Sequence, residues 1–210
     1  MKKIIVIGGG GHAKVVIGIL KKTGLYRILG YTDPADRGDV LGVKCLGGDN
    51  VLAALVRERP RPAAVLGIGS VLVSGARKAR FEKLEALGFD LPAIVSPAAI
   101  VNEGVDIGKG TVVCDGVIIN PGTKIGKGAI LNTNCSVDHD CEIGDFAHLA
   151  PGVTLSGGVS IGANCLIGTG ANIIQNVSIV AHTTIGAGAT VIENIREAGT
   201  YVGLPAKKKK

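Results

Sequence analysis

Residues 106–150 read DIGKGTVVCDGVIINPGTKIGKGAILNTNCSVDHDCEIGDFAHLA, and every sixth residue of this stretch is Val, Ile or Leu. The series runs without a break from Val95 to Val191. Neither an α-helix, with 3.6 residues per turn, nor a strand, with a period of two, places one side chain inward every six residues. A period of six indicates a chain that turns a corner after each short strand, so that three sides close a triangular coil. We therefore predict a parallel β-solenoid over residues 92–200.

A second inward position supports the same fold. Four residues after each aliphatic stands a small or β-branched residue, as at Thr123 and Cys141, which suits the narrow corner of a triangle. Glycine often follows the aliphatic directly, as at Gly108, Gly126 and Gly144. We expect these glycines to supply the unusual backbone angles that tight corners demand.

Composition limits the possible partners of the chain. It has 210 residues and a net charge of +6, and the run Lys207–Lys210, within a predicted tail of residues 201–210, supplies four of those charges. We expect this tail to be a solvated, frayed end. The sequence has no basic stripe with interleaved aromatic residues, which argues against binding to nucleic acid. It also has no apolar run long enough to cross a membrane, so no membrane insertion is predicted. The five cysteines lack metal or redox spacing, which fits a reducing, cytoplasmic setting.

Residues 1–91 follow a different pattern, in which short apolar runs alternate with amphipathic segments. We predict strands at residues 3–7, 28–32 and 63–68, and helices at about 11–22, 50–59 and 74–87. This alternation indicates a small, Rossmann-like parallel sheet that ends near Leu91-Pro92. Because a second mononucleotide-binding half is missing, the domain is predicted to bind one nucleotide or nucleotide sugar rather than NAD.

A glycine-rich turn follows the first predicted strand. Gly8-x-Gly10-x-x-Ala13 opens a helix, where backbone N–H groups can hold a phosphate. Asp33 follows the second strand, where dinucleotide-binding folds place an acid that contacts ribose. The alternative is that the glycines only allow the helix to pack tightly on the strand. We favour the ligand-binding interpretation.

Catalysis on a solenoid packed with aliphatic side chains has to occur on its outside. The chain has four histidines, and His139 is the one with an acid on each side, in Asp138-His139-Asp140. A neutral imidazole can remove a proton near pH 7, and a carboxylate can fix its tautomer and raise its basicity. The alternative is a histidine in a water-exposed turn. The coil period separates the histidines, so no metal site is predicted.

The whole chain resembles the PglD-like nucleotide-aminosugar N-acetyltransferases, members of the sialic-acid O-acetyltransferase family with hexapeptide repeats. The matching parts are Gly11-His12 in the glycine-rich start, Asp33 after the second strand, Gly67-Ile68-Gly69 after the third, the segment Ile130–His148, and the ending Val202–Lys207. The resemblance implies a left-handed β-helix and a homotrimer whose active sites lie between subunits. Acetyl-CoA would lie along the solenoid, the N-terminal domain would hold the nucleotide sugar, and no metal would be required.

The resemblance also implies roles for single residues. His139 would be the general base and Asp140 would orient and polarise it. His148 would contact acetyl-CoA across the subunit interface, and Gly157, in Ser156-Gly157-Gly158, would offer a backbone N–H to the oxyanion. The remaining residues would bind ligands: Thr169 and Ala187 would contact acetyl-CoA through main-chain atoms, and Gly10, Gly11, His12, Asp33 and Gly69 would contact the nucleotide sugar, with a UDP-linked sugar favoured.

These observations predict an acetyl-CoA-dependent N-acetyltransferase that acts on the 4-amino group of a nucleotide-linked 4-amino-4,6-dideoxy sugar for bacterial surface glycans. Two alternatives stay open from the sequence. One is an O-acetyltransferase that acts on sialic acid or a related sugar, and the other is a non-catalytic protein that binds a nucleotide sugar. The base of the nucleotide and the stereochemistry of the sugar also stay open.

Overall fold

The computed structural model describes residues 1–69 and 75–209, which form two compact units. The first unit comprises Met1–Gly69 and Gly75–Pro97, and the second begins at Ala98. No helix within the described ranges is both long and apolar enough to span a bilayer.

The first unit is built on a three-stranded parallel sheet, as the sequence predicts. Strands β1 (Lys2–Ile7), β2 (Tyr26–Thr32) and β3 (Ala63–Leu66) lie in the order β2-β1-β3. Helix α1 (Gly11–Thr23) follows β1 and buries an apolar stripe that includes Val16 and Leu20. Helix α3 (Ala76–Ala86) buries Phe81 and Leu84, and the short strand β4 (Ile94–Val95) follows it. Because the strands are parallel, β1, β2 and β3 all end at one edge of the sheet.

The second helix is much shorter than the predicted span of residues 50–59. A 3₁₀ turn at Asp49–Val51 leads into helix α2 (Leu52–Leu55), and hydrogen-bonded turns follow. The side chain of Arg59 donates to the carbonyl of Glu58 at 2.9 Å, and that of Arg61 to the carbonyl of Val56 at 3.0 Å. In a continued helix these two carbonyls would pair with residues 60 and 62, which are prolines and have no N–H to donate. The guanidinium groups of Arg61 and Arg59 bind the carbonyls instead. For α3, the predicted start at Ser74 lies outside the described residues.

The second unit is a parallel β-solenoid, which confirms the prediction from the six-residue period. Through most of the unit, each two-residue strand pairs in register with the strand eighteen residues further on, as Ile130 does with His148. Three sheets form the faces of the triangle. Face 1 contains β7 (Val112–Val113), β10 (Ile130–Leu131), β13 (His148–Leu149), β16 (Leu166–Ile167), β19 (Thr184–Ile185) and β21 (Thr200–Val202). Face 2 contains β5 (Ile100–Val101), β8 (Ile118–Ile119), β11 (Ser136–Val137), β14 (Thr154–Leu155), β17 (Asn172–Ile173) and β20 (Thr190–Val191). Face 3 contains β6 (Asp106–Ile107), β9 (Lys124–Ile125), β12 (Glu142–Ile143), β15 (Ser160–Ile161) and β18 (Ser178–Ile179).

Four-residue corners join the faces. Corner A leads from face 2 to face 3 and comprises residues 102–105, 120–123, 138–141, 156–159 and 174–177. Corner B leads from face 1 to face 2 and includes residues 132–135, 150–153, 168–171 and 186–189. Corner C leads from face 3 to face 1 and includes residues 108–111 and 126–129.

The core of the solenoid consists of the predicted aliphatic ladder. Ile119, Leu131, Val137 and Leu149 are fully buried. Burying each such side chain favours folding by about 1.5–3 kcal/mol, which explains why the period is kept through the whole unit. Val101 is an exception and is 38% exposed, because its strand β5 lies at the edge of face 2.

The glycines that follow the aliphatics do not have the unusual backbone angles predicted for them. The left-handed position is the third residue after the aliphatic, occupied for example by Gly122, with φ of 76°, and Asp140, with φ of 58°. A Cβ atom on Gly126 would lie 2.6 Å from the backbone nitrogen of Asp145, and one on Gly144 would lie 2.5 Å from that of Ala163. Glycine therefore occurs directly after the aliphatic because the next coil approaches closely, and not because of its φ angle.

The C-terminal segment is more ordered than the predicted frayed end. Strand β22 (Lys207–Lys208) pairs antiparallel with β21, and the nitrogen of Lys209 donates to the carbonyl of Thr200 at 2.7 Å. The lysine side chains are exposed, as their charge requires, and Lys208 forms an ion pair with Glu197. The backbone through Lys209 is therefore held in a hairpin on face 1.

Candidate active site

The two residues predicted to act as base and orienting acid form a hydrogen-bonded pair in corner A. Nδ1 of His139 lies 2.8 Å from Oδ2 of Asp140. Asp140 occupies the left-handed position of its turn, a conformation that aspartate tolerates better than most residues. A Cβ atom on Gly122, one coil below, would lie 2.5 Å from Oδ1 of Asp140, so glycine is needed there to make room for the carboxylate.

Two carboxylates act on the imidazole of His139. The hydrogen bond that His139 donates to Asp140 is the largest cause that raises the pKa of His139, and the negative charge of Asp138 is the next. Both raise it by favouring the protonated ring. Because Nδ1 donates to Asp140, the proton of the neutral ring sits on Nδ1 and leaves Nε2 as the basic nitrogen. The pair is exposed, with 62% of the His139 side chain open to solvent, so ligands can reach it.

Gly157 lies one coil above His139 and leaves room for its ring. A Cβ atom at Gly157 would lie only 2.6 Å from Nε2 of His139 and 2.7 Å from Cε1. The ring therefore extends over Gly157 into an open groove of about 460 Å³. The groove is lined by Asp138, His139, Asp140, Ser156, Gly157, Gly158, Gln175 and Asn176.

The Ser156-Gly157-Gly158 turn contains one backbone N–H group that is not used within the solenoid. The nitrogen of Ser156 donates to the carbonyl of Ile173 at 3.0 Å, and that of Gly158 donates to the carbonyl of His139 at 2.9 Å. Among the described residues, nothing accepts the N–H of Gly157. Gly157 is therefore the member of the turn whose N–H can donate to a ligand in the groove.

His148 lies elsewhere on the solenoid, in strand β13 of face 1. It is only 9% exposed, and its Nε2 lies 3.2 Å from the side-chain nitrogen of Asn132. An amide nitrogen can only donate, so Nε2 of His148 is the unprotonated nitrogen of this ring. Asn132 was not among the predicted site residues. The signal for it was the sixteen-residue separation, which brings the start of one corner B turn beside the strand of the next coil.

The other predicted acetyl-CoA contacts, Thr169 and Ala187, lie one above the other in corner B. The nitrogen of Gly188 donates to the carbonyl of Thr169 at 2.8 Å, which joins the two turns. Face 2 lies between corner B and corner A, which carries His139 and Gly157. One chain therefore does not bring the two predicted groups of cofactor contacts to the same edge.

The glycine-rich loop of the first unit divides into packing glycines and open glycines. A Cβ atom at Gly9 would lie 2.4 Å from the ring of Tyr31, and one at Gly67 would lie 2.7 Å from Val6. An added Cβ at Gly10 or Gly11 would meet nothing within 4 Å. The packing alternative therefore holds for Gly9 and Gly67, whereas Gly10 and Gly11 border open space at the N-terminus of α1, where backbone N–H groups favour anions.

His12 and Asp33 flank this loop, together with Gly69. A Cβ atom at Gly69 would lie 3.3 Å from Cβ of His12, so the loop after β3 packs against α1. Asp33 accepts hydrogen bonds from the nitrogens of Gly9 and Ala35, both at 3.0 Å, and from Nε of Arg37 at 3.3 Å. Burial alone would raise the pKa of Asp33, but these hydrogen bonds outweigh it and lower the pKa. In the structure Asp33 ties the glycine loop to the turn after β2, and its contact with a ligand stays a prediction.

No group of three or more His, Cys, Asp or Glu side chains among residues 1–69 and 75–209 is arranged to hold a metal ion. The groove itself brings together a basic imidazole nitrogen, at His139, and a backbone N–H that can donate to a ligand, at Gly157. This arrangement can take a proton from a nucleophile while the N–H group stabilises negative charge on a carbonyl oxygen.

Family models match both units of the chain. The model described as the PglD N-terminal domain matches residues 3–84, and the one described as bacterial transferase hexapeptide (six repeats) matches residues 122–157. No curated protein matches the sequence.

Solved structures similar to this chain extend over its whole length. A GDP-perosamine N-acetyltransferase from Caulobacter crescentus, PerB in complex with CoA and GDP-perosamine, is 38% identical over 100% of this chain and 98% of its own, with a TM-score of 0.92. The acetyltransferase domain of PglB from Neisseria gonorrhoeae is 34% identical over 100% of both chains, with a TM-score of 0.92. WeeI from Acinetobacter baumannii is 26% identical over 100% of both chains, with a TM-score of 0.88.

Proposed function

The chain belongs to the PglD-like nucleotide-aminosugar N-acetyltransferases with a left-handed β-helix, and on that premise we propose that it acetylates the 4-amino group of a nucleotide-linked 4-amino-4,6-dideoxy sugar with acetyl-CoA. The observation that carries this proposal is the groove in corner A. There His139, hydrogen-bonded to Asp140, and Gly157 line the same space.

We propose that His139 acts as the general base. The acceptor amine attacks the carbonyl carbon of the acetyl thioester, and the C–S bond breaks as the C–N bond forms. Nε2 of His139 takes one proton from the attacking nitrogen and passes it to the sulfur of the departing CoA. The hydrogen bond from Nδ1–H of His139 to Asp140 leaves Nε2 unprotonated before the reaction, and it stabilises the imidazolium that forms once Nε2 has taken the proton. The N–H of Gly157 donates to the carbonyl oxygen as its negative charge grows.

The first unit is proposed to hold the nucleotide sugar. The open space at Gly10 and Gly11 beside the N-terminus of α1 supports a diphosphate contact, with His12 and Gly69 at its border. Asp33 is proposed to fix the glycine-rich loop by accepting a hydrogen bond from Gly9, in addition to its predicted contact with the nucleotide sugar. The sequence favours UDP, whereas the similarity to PerB, which was solved with GDP-perosamine, supports GDP as the first nucleotide to test.

Thiol release from acetyl-CoA across a panel of acceptors tests this function. The panel holds GDP-, UDP- and dTDP-linked 4-amino sugars, together with free and CMP-linked sialic acid. We expect turnover with one amino sugar, which also identifies the nucleotide. Turnover with sialic acid alone would contradict the proposal and identify the protein as an O-acetyltransferase. No turnover with any acceptor would favour a non-catalytic protein that binds a nucleotide sugar.

We further propose a homotrimer with each site shared by two subunits. The predicted acetyl-CoA contacts lie in corner A (Gly157), in corner B (Thr169 and Ala187) and on face 1 (His148). Corners A and B border opposite edges of face 2, so we propose that two neighbouring chains place these contacts around one molecule. Face 2 exposes Ile100, at 57%, and Ile118, at 39%, whereas face 3 carries Asp106, Lys124 and Glu142. An uncharged face with exposed isoleucines is suited to the symmetry axis. The five free cysteines support a reducing, cytoplasmic setting for this assembly.

Mixing two inactive variants tests the shared site. His139→Asn removes the base from corner A, and His148→Ala removes the predicted cofactor contact from face 1. If both residues serve one site from neighbouring chains, unfolding and refolding an equimolar mixture should restore about a quarter of the parent activity, because random assembly pairs the intact residues at that fraction of sites. Activity no higher than that of the separate variants would contradict a shared site.

A further inference from the structure

The turn that carries His139 and Asp140 is held from the inside of the solenoid by Thr123. This threonine occupies the small inward position one coil below and is fully buried. Its hydroxyl donates to the carbonyl of Asp138 at 2.9 Å and accepts from the nitrogen of Cys141 at 3.3 Å. One hydroxyl therefore binds the two residues that flank His139-Asp140 in the chain.

The same turn is held from the outside by Asn120. Its side-chain nitrogen donates to Oδ1 of Asp138 at 3.0 Å, and that oxygen also accepts the backbone N–H of His139 at 2.9 Å. Asn102, a further coil below, donates to the side-chain oxygen of Asn120 at 3.0 Å. A ladder of amides thus fixes the carboxylate of Asp138, and through it the backbone of His139.

A buried threonine hydroxyl that holds the turn of the next coil also occurs away from the candidate active site. The hydroxyl of Thr111 donates to the carbonyl of Gly126 at 2.7 Å and accepts from the nitrogen of Ala129 at 3.1 Å. Thr111 is also fully buried, and the turn it holds lies in corner C. Thr111 therefore provides the same chemistry as Thr123, away from the groove.

We propose that Thr123 and Asn120 are positioning residues for the acetyl transfer, which they serve by fixing the turn that aims His139 into the groove. Thr123 is fully buried, so it acts through His139 and not on substrate. The aim matters because Nε2 has to stay over Gly157, and displacements of about 1 Å in an active site can cost about a hundredfold in rate. The proposal rests on the proposed role of His139.

Matched threonine-to-valine variants separate positioning from general stability. Thr123→Val and Thr111→Val each exchange a hydroxyl for a methyl group of similar size and leave a carbonyl and an N–H without a partner. Both should lower the melting temperature to a similar extent. Only Thr123→Val should lower kcat, by about tenfold, with the KM values for acetyl-CoA and acceptor within about twofold of the parent. Thr123→Ser keeps the hydroxyl and should recover most of kcat. Equal kcat values for the two valine variants would overturn the proposal.

A second readout follows the His139 ring directly and does not depend on turnover. The ionisable side chains that face this ring are Asp138 and Asp140, while Pro121 and Gly157 occupy its position in the coils below and above. In an NMR titration, the ring signal that is lost in His139→Asn should show a lower pKa in Thr123→Val than in Thr111→Val, because a loosened turn weakens the hydrogen bond to Asp140. An unchanged His139 titration in Thr123→Val would overturn the proposal even if no acceptor were turned over.

Asn120→Ala tests the outer contact without disturbing the core. Asn120 is only partly buried, so its replacement should leave the fold intact. It should lower kcat by about three- to tenfold and lower the pKa of His139 in the same titration. If kcat and the titration both match the parent, Asn120 has no positioning role. Full activity in His139→Asn would instead contradict the role of His139 as the general base. The titrations would still show whether Thr123 and Asn120 position the His139 ring.

Discussion

Replacing His139 with asparagine should lower kcat by about 10²–10⁴-fold, the range expected when a general base is lost. Asparagine can occupy the turn and hydrogen-bond to Asp140, but it cannot take the proton that leaves the acceptor amine. The measurement is initial-rate thiol release at saturating acetyl-CoA and acceptor, with KM determined for both.

His182→Asn is the matched control for this replacement. His182 is an exposed histidine in corner C, in a left-handed conformation that asparagine also adopts readily. It should keep the parent kcat within about twofold, because surface changes away from a site are usually small in effect. If both variants kept full activity, His139 would not be the base, and the interpretation of His139 as a solvent-exposed turn residue would be favoured.

Gly157→Ala should lower kcat by about a hundredfold or more, although it adds a single methyl group. That methyl would lie 2.6 Å from Nε2 of His139, so the ring has to turn away from the groove. Misplacing a reacting group by about 1 Å is enough for a loss of this size. The backbone of Gly157 lies outside the left-handed region, so the added methyl does not strain the main chain and the variant should fold normally.

Gly18→Ala is the control for adding a methyl group. Gly18 lies within α1, and an added Cβ there would meet nothing within 4 Å. We expect this variant to keep the parent kcat and to be slightly more stable, since alanine favours helix by about 1 kcal/mol over glycine. Activity of Gly157→Ala equal to that of Gly18→Ala would contradict the position of the His139 ring over Gly157.

The solenoid could be predicted because its period admits no other regular structure. The ladder that includes Ile119, Leu131 and Val137 marks both the strands and the inward face, and Thr123 and Cys141 mark the corners. The φ angles at the corner glycines could not be predicted from the six-residue period. Glycine at position 126 reflects a close approach of the next coil, which depends on how coils stack and not on the local sequence.

The His139-Asp140 pair could be predicted because the two residues are adjacent in the chain, and their contact needs no knowledge of the stacking. Contacts between coils were missed for the opposite reason. Thr123 meets Asp138 fifteen residues later, and Asn132 meets His148 sixteen residues later. These separations have meaning only once the coil length is fixed at eighteen residues. The short helix α2 was mispredicted because its apolar pattern continues to Arg59, whereas Pro60 and Pro62 leave the carbonyls of Val56 and Glu58 without helical donors, and arginine side chains bind them instead.

The pH dependence of kcat/KM with the cognate amino sugar tests the central claim most directly, because it reports the protonation of His139 itself. The base has to be neutral, and its pKa is raised above the ordinary value of about 6.5, so activity should fall as the pH drops through that raised pKa. In Asp140→Asn this fall should move to lower pH, because a neutral amide stabilises the imidazolium of His139 less than the carboxylate does. In His139→Asn it should disappear, leaving only the titration of the acceptor amine. An acid fall at the same pH in His139→Asn as in the parent would contradict His139 as the base.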